Sequence, residues 1–122
     1  MASVMPNVER TAEQTVFWFG NLSVNLDNYQ VTIGADIVYL TYHETELLHV
    51  LMENADRVLP YDFIAKAIWR NADNANLRHL NVLVHRLRSK LAGSKPYWIE
   101  TVRGRGYGLL KTPGMEESDE WS

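Results

Sequence analysis

A chain of 122 residues, 46% apolar with four tryptophans, suits one compact domain with an ample core. It has no cysteine, which excludes disulfides, thiolate catalysis and cysteine-ligated zinc, and no apolar run near the ~20 residues of a membrane helix. The net charge of −3 argues against a polyanion partner only as an average, because the charge is segregated.

Residues 1–76 hold four Lys/Arg and ten Asp/Glu, whereas residues 77–111 hold eight Lys/Arg against Glu100 alone. The last eleven residues, "TPGMEESDEWS", hold four acids and no base. Such asymmetry points to a polyanion-facing half on an acidic protein. A solvated basic face balanced by the acidic half has the same arithmetic, so charge alone leaves the two readings level.

Residues 1–15 lack periodicity and any stretch apolar enough for a signal peptide. They are assigned as a linker or leader, and the simple expectation is a cytoplasmic protein. The runs "TVFWFG", "LSVNL", "QVTIG" and "DIVYLT" follow, rich in β-branched and aromatic residues and separated by turn signals. They predict a four-stranded antiparallel sheet over residues 15–41. Thr41 and Glu44 then stand at capping-box spacing, and Leu47, Leu48, Leu51 and Met52 fall at helical spacing. A helix from about Tyr42 to Asn54 is expected.

"NADRVLPYD" is taken as a connector, and a short helix begins near Asp62 with Phe63, Ile64, Ala67 and Ile68 inward. "NADNAN" is a polar loop before a helix from about Asn76 to Leu91, closed by Gly93. At about 100° per residue, Leu83, Val84, Leu87 and Leu91 cluster around Leu80 as a core stripe. Arg78, Val82, His85 and Ser89 lie opposite it, with His79 and Arg86 on one flank and Asn81 and Arg88 on the other.

That outer face has no acid between Arg78 and Lys90, so it forgoes the i,i+4 ion pairs that support an idle helix surface. Arginine suits guanine O6/N7, asparagine suits adenine, and the Val82 methyls suit a thymine methyl in a major groove. The helix favours a DNA face over a solvated one. Two β-rich runs, Tyr97–Arg103 and Tyr107–Lys111, flank Gly104-Arg105-Gly106 and predict a hairpin. Arginines on a slim tip fit a narrow, electronegative minor groove. An ordinary turn with solvated arginines satisfies the same residues.

The stretches "LTYHETELLHVLMENADRVLPYDFIAKAIW", "LRHLNVLVHRLRSKL" and "IETVRGRGYGLL" together closely resemble the OmpR/PhoB-type DNA-binding effector domain of response regulators. The resemblance runs from about Phe17 to Lys111. It rests most on Leu40-Thr41 with Glu44, Trp69, Arg86-Leu87-Arg88 with Leu91, and Thr101 to Gly104 with Gly106-Tyr107. It implies an α+β winged helix-turn-helix: an N-terminal four-stranded antiparallel sheet, three helices and a C-terminal β-hairpin wing. The domain then spans residues 16–111, with an acidic flexible tail at 112–122.

The resemblance also implies a sequence-specific transcription regulator of double-stranded DNA, the output domain of a two-component phosphorelay. Its third helix would enter the major groove and its wing arginine the minor groove. Carried over by position, Arg78, His79, Val82, Leu83, His85, Arg86 and Arg88 become recognition-helix candidates, and Thr101 and Arg103 wing candidates. Lys90 and Arg105 join them as basic residues of the same helix and wing, and the angle of Leu83 equally fits the core. Arg70, Asn71, Asp73 and Asn74 fall in the loop from Arg70 to Asn76, which corresponds to the segment that in this family can touch RNA polymerase. "NADNAN" carries no such signal of its own. Two copies are expected on tandem half-sites or as a homodimer.

Two departures bear on base preference: Leu83 stands where the family often has histidine, and Asn81 where it often has aspartate. Ahead of Thr15 there is no room for a phosphoacceptor α/β unit, so the expectation is an isolated effector domain or a stand-alone regulator. The four histidines, His43, His49, His79 and His85, form no H-E-x-x-H pattern, and no G-x-S-x-G elbow occurs. No catalysis, metal or cofactor is expected. The competing class is a winged helix serving as a protein-interaction module, which would show exposed aromatics and mixed charge on the same face.

Overall fold

The computed structural model describes residues 15–111. The linker assigned to residues 1–15 and the acidic tail at 112–122 therefore lie outside the described residues, Thr15 excepted. Thr15 belongs to the fold: its carbonyl accepts the Leu26 N–H at 2.8 Å.

Four short strands open the domain: Val16–Phe19 (β1), Leu22–Asn25 (β2), Gln30–Ile33 (β3) and Asp36–Tyr39 (β4). They form an antiparallel sheet in sequence order, each joined to the next by a tight turn. Alternation sends Leu22, Val24, Val31 and Ile33 into the core and leaves Trp18, Ile37 and Tyr39 on the outer face. Asn21, in the first turn, ties this sheet to the far end of the domain. Its N–H and side-chain amide donate to the carbonyls of Lys95 and Gly93 at 2.9 and 3.0 Å, and its Oδ1 accepts the Lys95 N–H at 2.7 Å.

Helix Tyr42–Glu53 (α1) starts on the expected capping box. The Glu44 N–H donates to Thr41 Oγ1 at 3.2 Å, and the Thr41 N–H donates to Glu44 Oε1 at 2.9 Å. Leu47, Leu48 and Leu51 are fully buried.

The connector that follows contains a strand which its sequence conceals, Leu59–Pro60 (β5). Proline in a two-residue segment is a poor strand signal, yet at an edge its missing N–H costs nothing. Helix Tyr61–Trp69 (α2) follows. Its inward residues are Ile64, Ala65 and Ile68, a correction to the expected set. Phe63 is 49% exposed and Ala67 faces solvent. An apolar run as dense as "FIAKAI" fits more than one helical phase, so periodicity alone chose wrongly there.

Helix Asn74–Lys90 (α3) begins two residues earlier than expected because Asp73 caps it, its Oδ1 accepting the Asn76 N–H at 2.8 Å. Leu80, Leu83, Val84 and Leu87 are its buried stripe. Strands Tyr97–Val102 (β6) and Gly106–Lys111 (β7) make the hairpin, with β7 between β5 and β6 in a three-stranded sheet.

Gly106 does not serve the tip. A Cβ there would strike the Leu59 carbonyl of β5, so this glycine admits the third strand. The turn relies on Gly104, at φ +79° with open space around it. Among the described residues no helix is long and apolar enough to cross a membrane.

Candidate nucleic-acid interface

The outer face of α3 presents Arg78, His79, Val82, His85 and Arg86 to solvent. The helix has no carboxylate anywhere between Asn74 and Lys90, so none of these cations has an acidic neighbour on its own element. Val82 is 44% exposed at the centre of the face. His79 stacks on the Trp69 indole, ring centroids 5.3 Å apart at 20°, and His43 approaches the same indole at 5.7 Å. Trp69 thereby fixes the imidazole of His79 at the edge of the face.

Leu83 does not belong to this surface. It is 3% exposed and packs in the core, which decides between its two readings in favour of the core stripe. An apolar side chain on the stripe's edge turns inward, where its area leaves water.

Arg88 and Lys90 share the helix but not its exposure. The Arg88 Nε donates to the Ile99 carbonyl at 2.8 Å, and its Nη2 donates to Thr101 Oγ1. Lys90 Nζ donates to Glu44 Oε1 at 2.7 Å and to the Tyr39 carbonyl at 3.3 Å. Glu44 is 2% exposed. Burial pushes its carboxyl up, but the Lys90 hydrogen bond, the Thr41 N–H, the Lys90 charge and the Thr41 hydroxyl together outweigh burial and hold it below its ordinary value. Lys90 thus joins the end of α3 to the start of α1, away from the outer face.

The wing turn is closed by the Arg105 N–H donating to the Val102 carbonyl at 2.8 Å. Gly104 takes the positive φ that its third position demands, so Arg103 and Arg105 stand exposed on either side of a slim tip. Thr101 is exposed one pair behind, its oxygen occupied by Arg88.

The segment between α2 and α3 is short. Arg70 caps α2 in the left-handed region at φ +66°, the Asn71 carbonyl accepts the Asn76 amide at 2.9 Å, Asp73 caps α3, and Asn74 is already helical. Of the four residues assigned there, only Arg70, Asn71 and Asp73 lie outside regular structure.

Two side chains escaped the sequence reading. Tyr107 donates its hydroxyl to Asn81 Oδ1 at 3.2 Å, so Asn81 is not a free amide. Trp69 belongs to the family motif, but no local pattern marks it as a platform for His79. The available signal for the first was the i,i+7 spacing of Asn81 and Arg88, which places both on the wing-facing flank.

Residues 34–109 match the family model "Transcriptional regulatory protein, C terminal". The chain is 36% identical over 98 residues to the "Transcriptional activator protein IrlR" of Burkholderia pseudomallei, covering 80% of this chain and 43% of that protein. It is 32% identical over 118 residues to the "Alkaline phosphatase synthesis transcriptional regulatory protein PhoP" of Bacillus subtilis, covering 95% of this chain and 48% of that one. The chain therefore spans under half the length of the curated relatives it matches. Among solved structures it is similar to the RstA DNA-binding domain of Klebsiella pneumoniae in complex with RstA box. That match has a TM-score of 0.68 and 31% identity, over 78% of this chain and 96% of that one.

Proposed function

The chain belongs to the family of transcriptional regulatory protein C-terminal domains, the OmpR/PhoB type, and from that premise we propose that it binds duplex DNA sequence-specifically as the output part of a transcription regulator. The observation that carries the proposal is the acid-free exposed face of α3, beside a wing whose tip carries Arg103 and Arg105. The similar RstA domain was solved on its DNA box.

In this reading α3 lies in the major groove. Arg86 and Arg78 grip guanine edges or phosphates, Val82 meets thymine methyls, and His79 and His85 contribute polar contacts. The wing places Arg103 in the adjacent minor groove, with Arg105 and the Thr101 hydroxyl toward phosphate. Arg88 and Lys90 act through the protein's own acceptors, so their share of DNA contact is indirect.

Two copies on tandem half-sites, a contact of the Arg70–Asp73 segment with RNA polymerase, control by a phosphorelay and a cytoplasmic location complete the reading. It involves no catalytic step and no cofactor.

A fluorescence titration of random-sequence duplex with the domain at several salt concentrations tests it. The expected result is a steep fall of affinity with salt, and weaker binding by Arg86→Ala and Arg103→Ala. Absence of binding at low salt would refute the proposal and leave the basic face to a protein partner.

A further inference from the structure

Asn81 and Arg88 stand seven residues apart on one flank of α3, and each holds a different strand of the wing. Asn81 Oδ1 accepts the Tyr107 hydroxyl of β7, while Arg88 donates to Ile99 and Thr101 of β6. The Tyr107 ring is 5% exposed and meets Tyr61 edge-on at 5.3 Å, so its hydroxyl is delivered from a fixed ring. Burial and the neighbouring Tyr61 push the Tyr107 phenol up, with Arg88 pulling the other way, so it remains a donor at neutral pH.

Hydrogen-bond chemistry then limits what this flank can read. Bidentate recognition of adenine needs both Oδ1 as acceptor and Nδ2 as donor. With Oδ1 held by Tyr107, the Asn81 amide is turned toward β7 and would have to share that oxygen to grip adenine in this way. Arg88 has Nε and one Nη2 hydrogen engaged, which ties the side-on edge of its guanidinium to β6 and fixes its plane against the wing. Thr101 accepts from Arg88, which leaves its own O–H to point outward as a donor for a phosphate oxygen.

We propose that Asn81 and Arg88 are positioning residues that set the angle of the wing against α3, and thereby choose the minor-groove base pairs that Arg103 reaches, rather than reading bases themselves. This rests on the DNA-binding reading and adds the source of its flank specificity. A wing pinned at both strands moves with the helix as one body, so base choice in the minor groove keeps a constant offset from the major-groove site. Freed from either pin, the tip samples several steps and its preference blurs.

The experiment is selection from a pool of randomised duplexes, with the bound fraction sequenced for the wild type, Asn81→Ala, Asn81→Asp, Tyr107→Phe and Arg103→Ala. Thermal melts run alongside. Tyr107→Phe removes one oxygen and keeps the buried ring, so it separates the pin from folding. Wild type is expected to enrich a major-groove window and an adjacent A·T flank, and Arg103→Ala to lose the flank. Tyr107→Phe and Asn81→Ala should keep the major-groove window and lose at least roughly threefold of the flank enrichment. Asn81→Asp retains the acceptor for Tyr107, so it should keep the flank preference while binding less tightly through its charge.

Altered base choice inside the major-groove window with an unchanged flank, in Asn81→Ala, would show that Asn81 reads a base and overturn the inference. So would a flank preference in Tyr107→Phe equal to that of the wild type. No enrichment by the wild type would instead sink the DNA-binding reading, and the inference with it.

Discussion

The two ends of α3 carry similar residues to different ends. Between Arg78 and Arg86 the cations face solvent, and their own helix supplies no acid to meet them. From Arg88 to Lys90 the donors are taken by Ile99, Thr101, Tyr39 and Glu44. A basic residue is a candidate for a polyanion only when the fold leaves it without an acceptor. The difference lies in what the rest of the chain brings near each position. The first end is available for recognition, and the second holds that end against α1 and the wing.

The largest effect that would break this contrast is on stability. Lys90→Met leaves Glu44 buried without its ammonium partner. Unpaired buried carboxylates cost several kcal/mol, but Lys90 is 34% exposed and some of its attraction is screened by water. A loss of about 2 kcal/mol in urea melts at neutral pH is expected.

Glu44 has a depressed folded value, so its contribution is present above the unfolded carboxylate value and is lost as pH falls through the folded one. The gap between wild type and Lys90→Met should therefore narrow only as the pH falls beneath the ordinary glutamate range, through the depressed folded value. DNA affinity measured well below the melting temperature should change little. A large fall in affinity with unaltered melts would place Lys90 at DNA and erase the distinction.

The next effect sits at the exposed end. Arg86→Ala should weaken binding by about tenfold and lower the salt slope by about one if the guanidinium neutralises a phosphate. If it grips guanine, the loss should reach about 1–3 kcal/mol at one base position and vanish on mismatched sites. Either outcome should leave the melting curve within about 0.5 kcal/mol, because Arg86 makes no contact that the core requires. Coupled losses of stability and affinity would make the two ends of α3 alike after all.

How much of this was legible beforehand depends on how far apart the interacting residues lie in the chain. Thr41 and Glu44 are three apart, so the capping box and the start of α1 could be read directly. The stripe of Leu80, Val84 and Leu87 needed only the helical period. Glu44 and Lys90 are 46 residues apart, and Asn81 and Tyr107 are 26 apart. No local pattern reports such pairs, so sequence alone groups Lys90 and Arg88 with the exposed cations. β5 was missed for the same reason, since its evidence is the space that Gly106 keeps clear for Leu59. The outward set on α3 was visible because a missing acid is a local property, whereas an occupied guanidinium is not.

The smallest effect sharpens the contrast most cleanly, because it involves no charge. Val82 is 44% exposed at the centre of the face, and replacing it with serine removes apolar area that the folded protein already shows to water. Stability should therefore shift by no more than about 0.5 kcal/mol, and the salt slope should not move. If Val82 meets a thymine methyl, its loss should cost less than about 1 kcal/mol on the selected site and nothing on a site with cytosine at that position. A comparison of thymine, cytosine and 5-methylcytosine duplexes decides the matter. The methyl, whichever base carries it, should restore affinity in the wild type and fail to do so in Val82→Ser. Equal affinity of the wild type for all three would mean that the apolar centre of the face touches no base, and that only the charged rim of α3 meets the DNA.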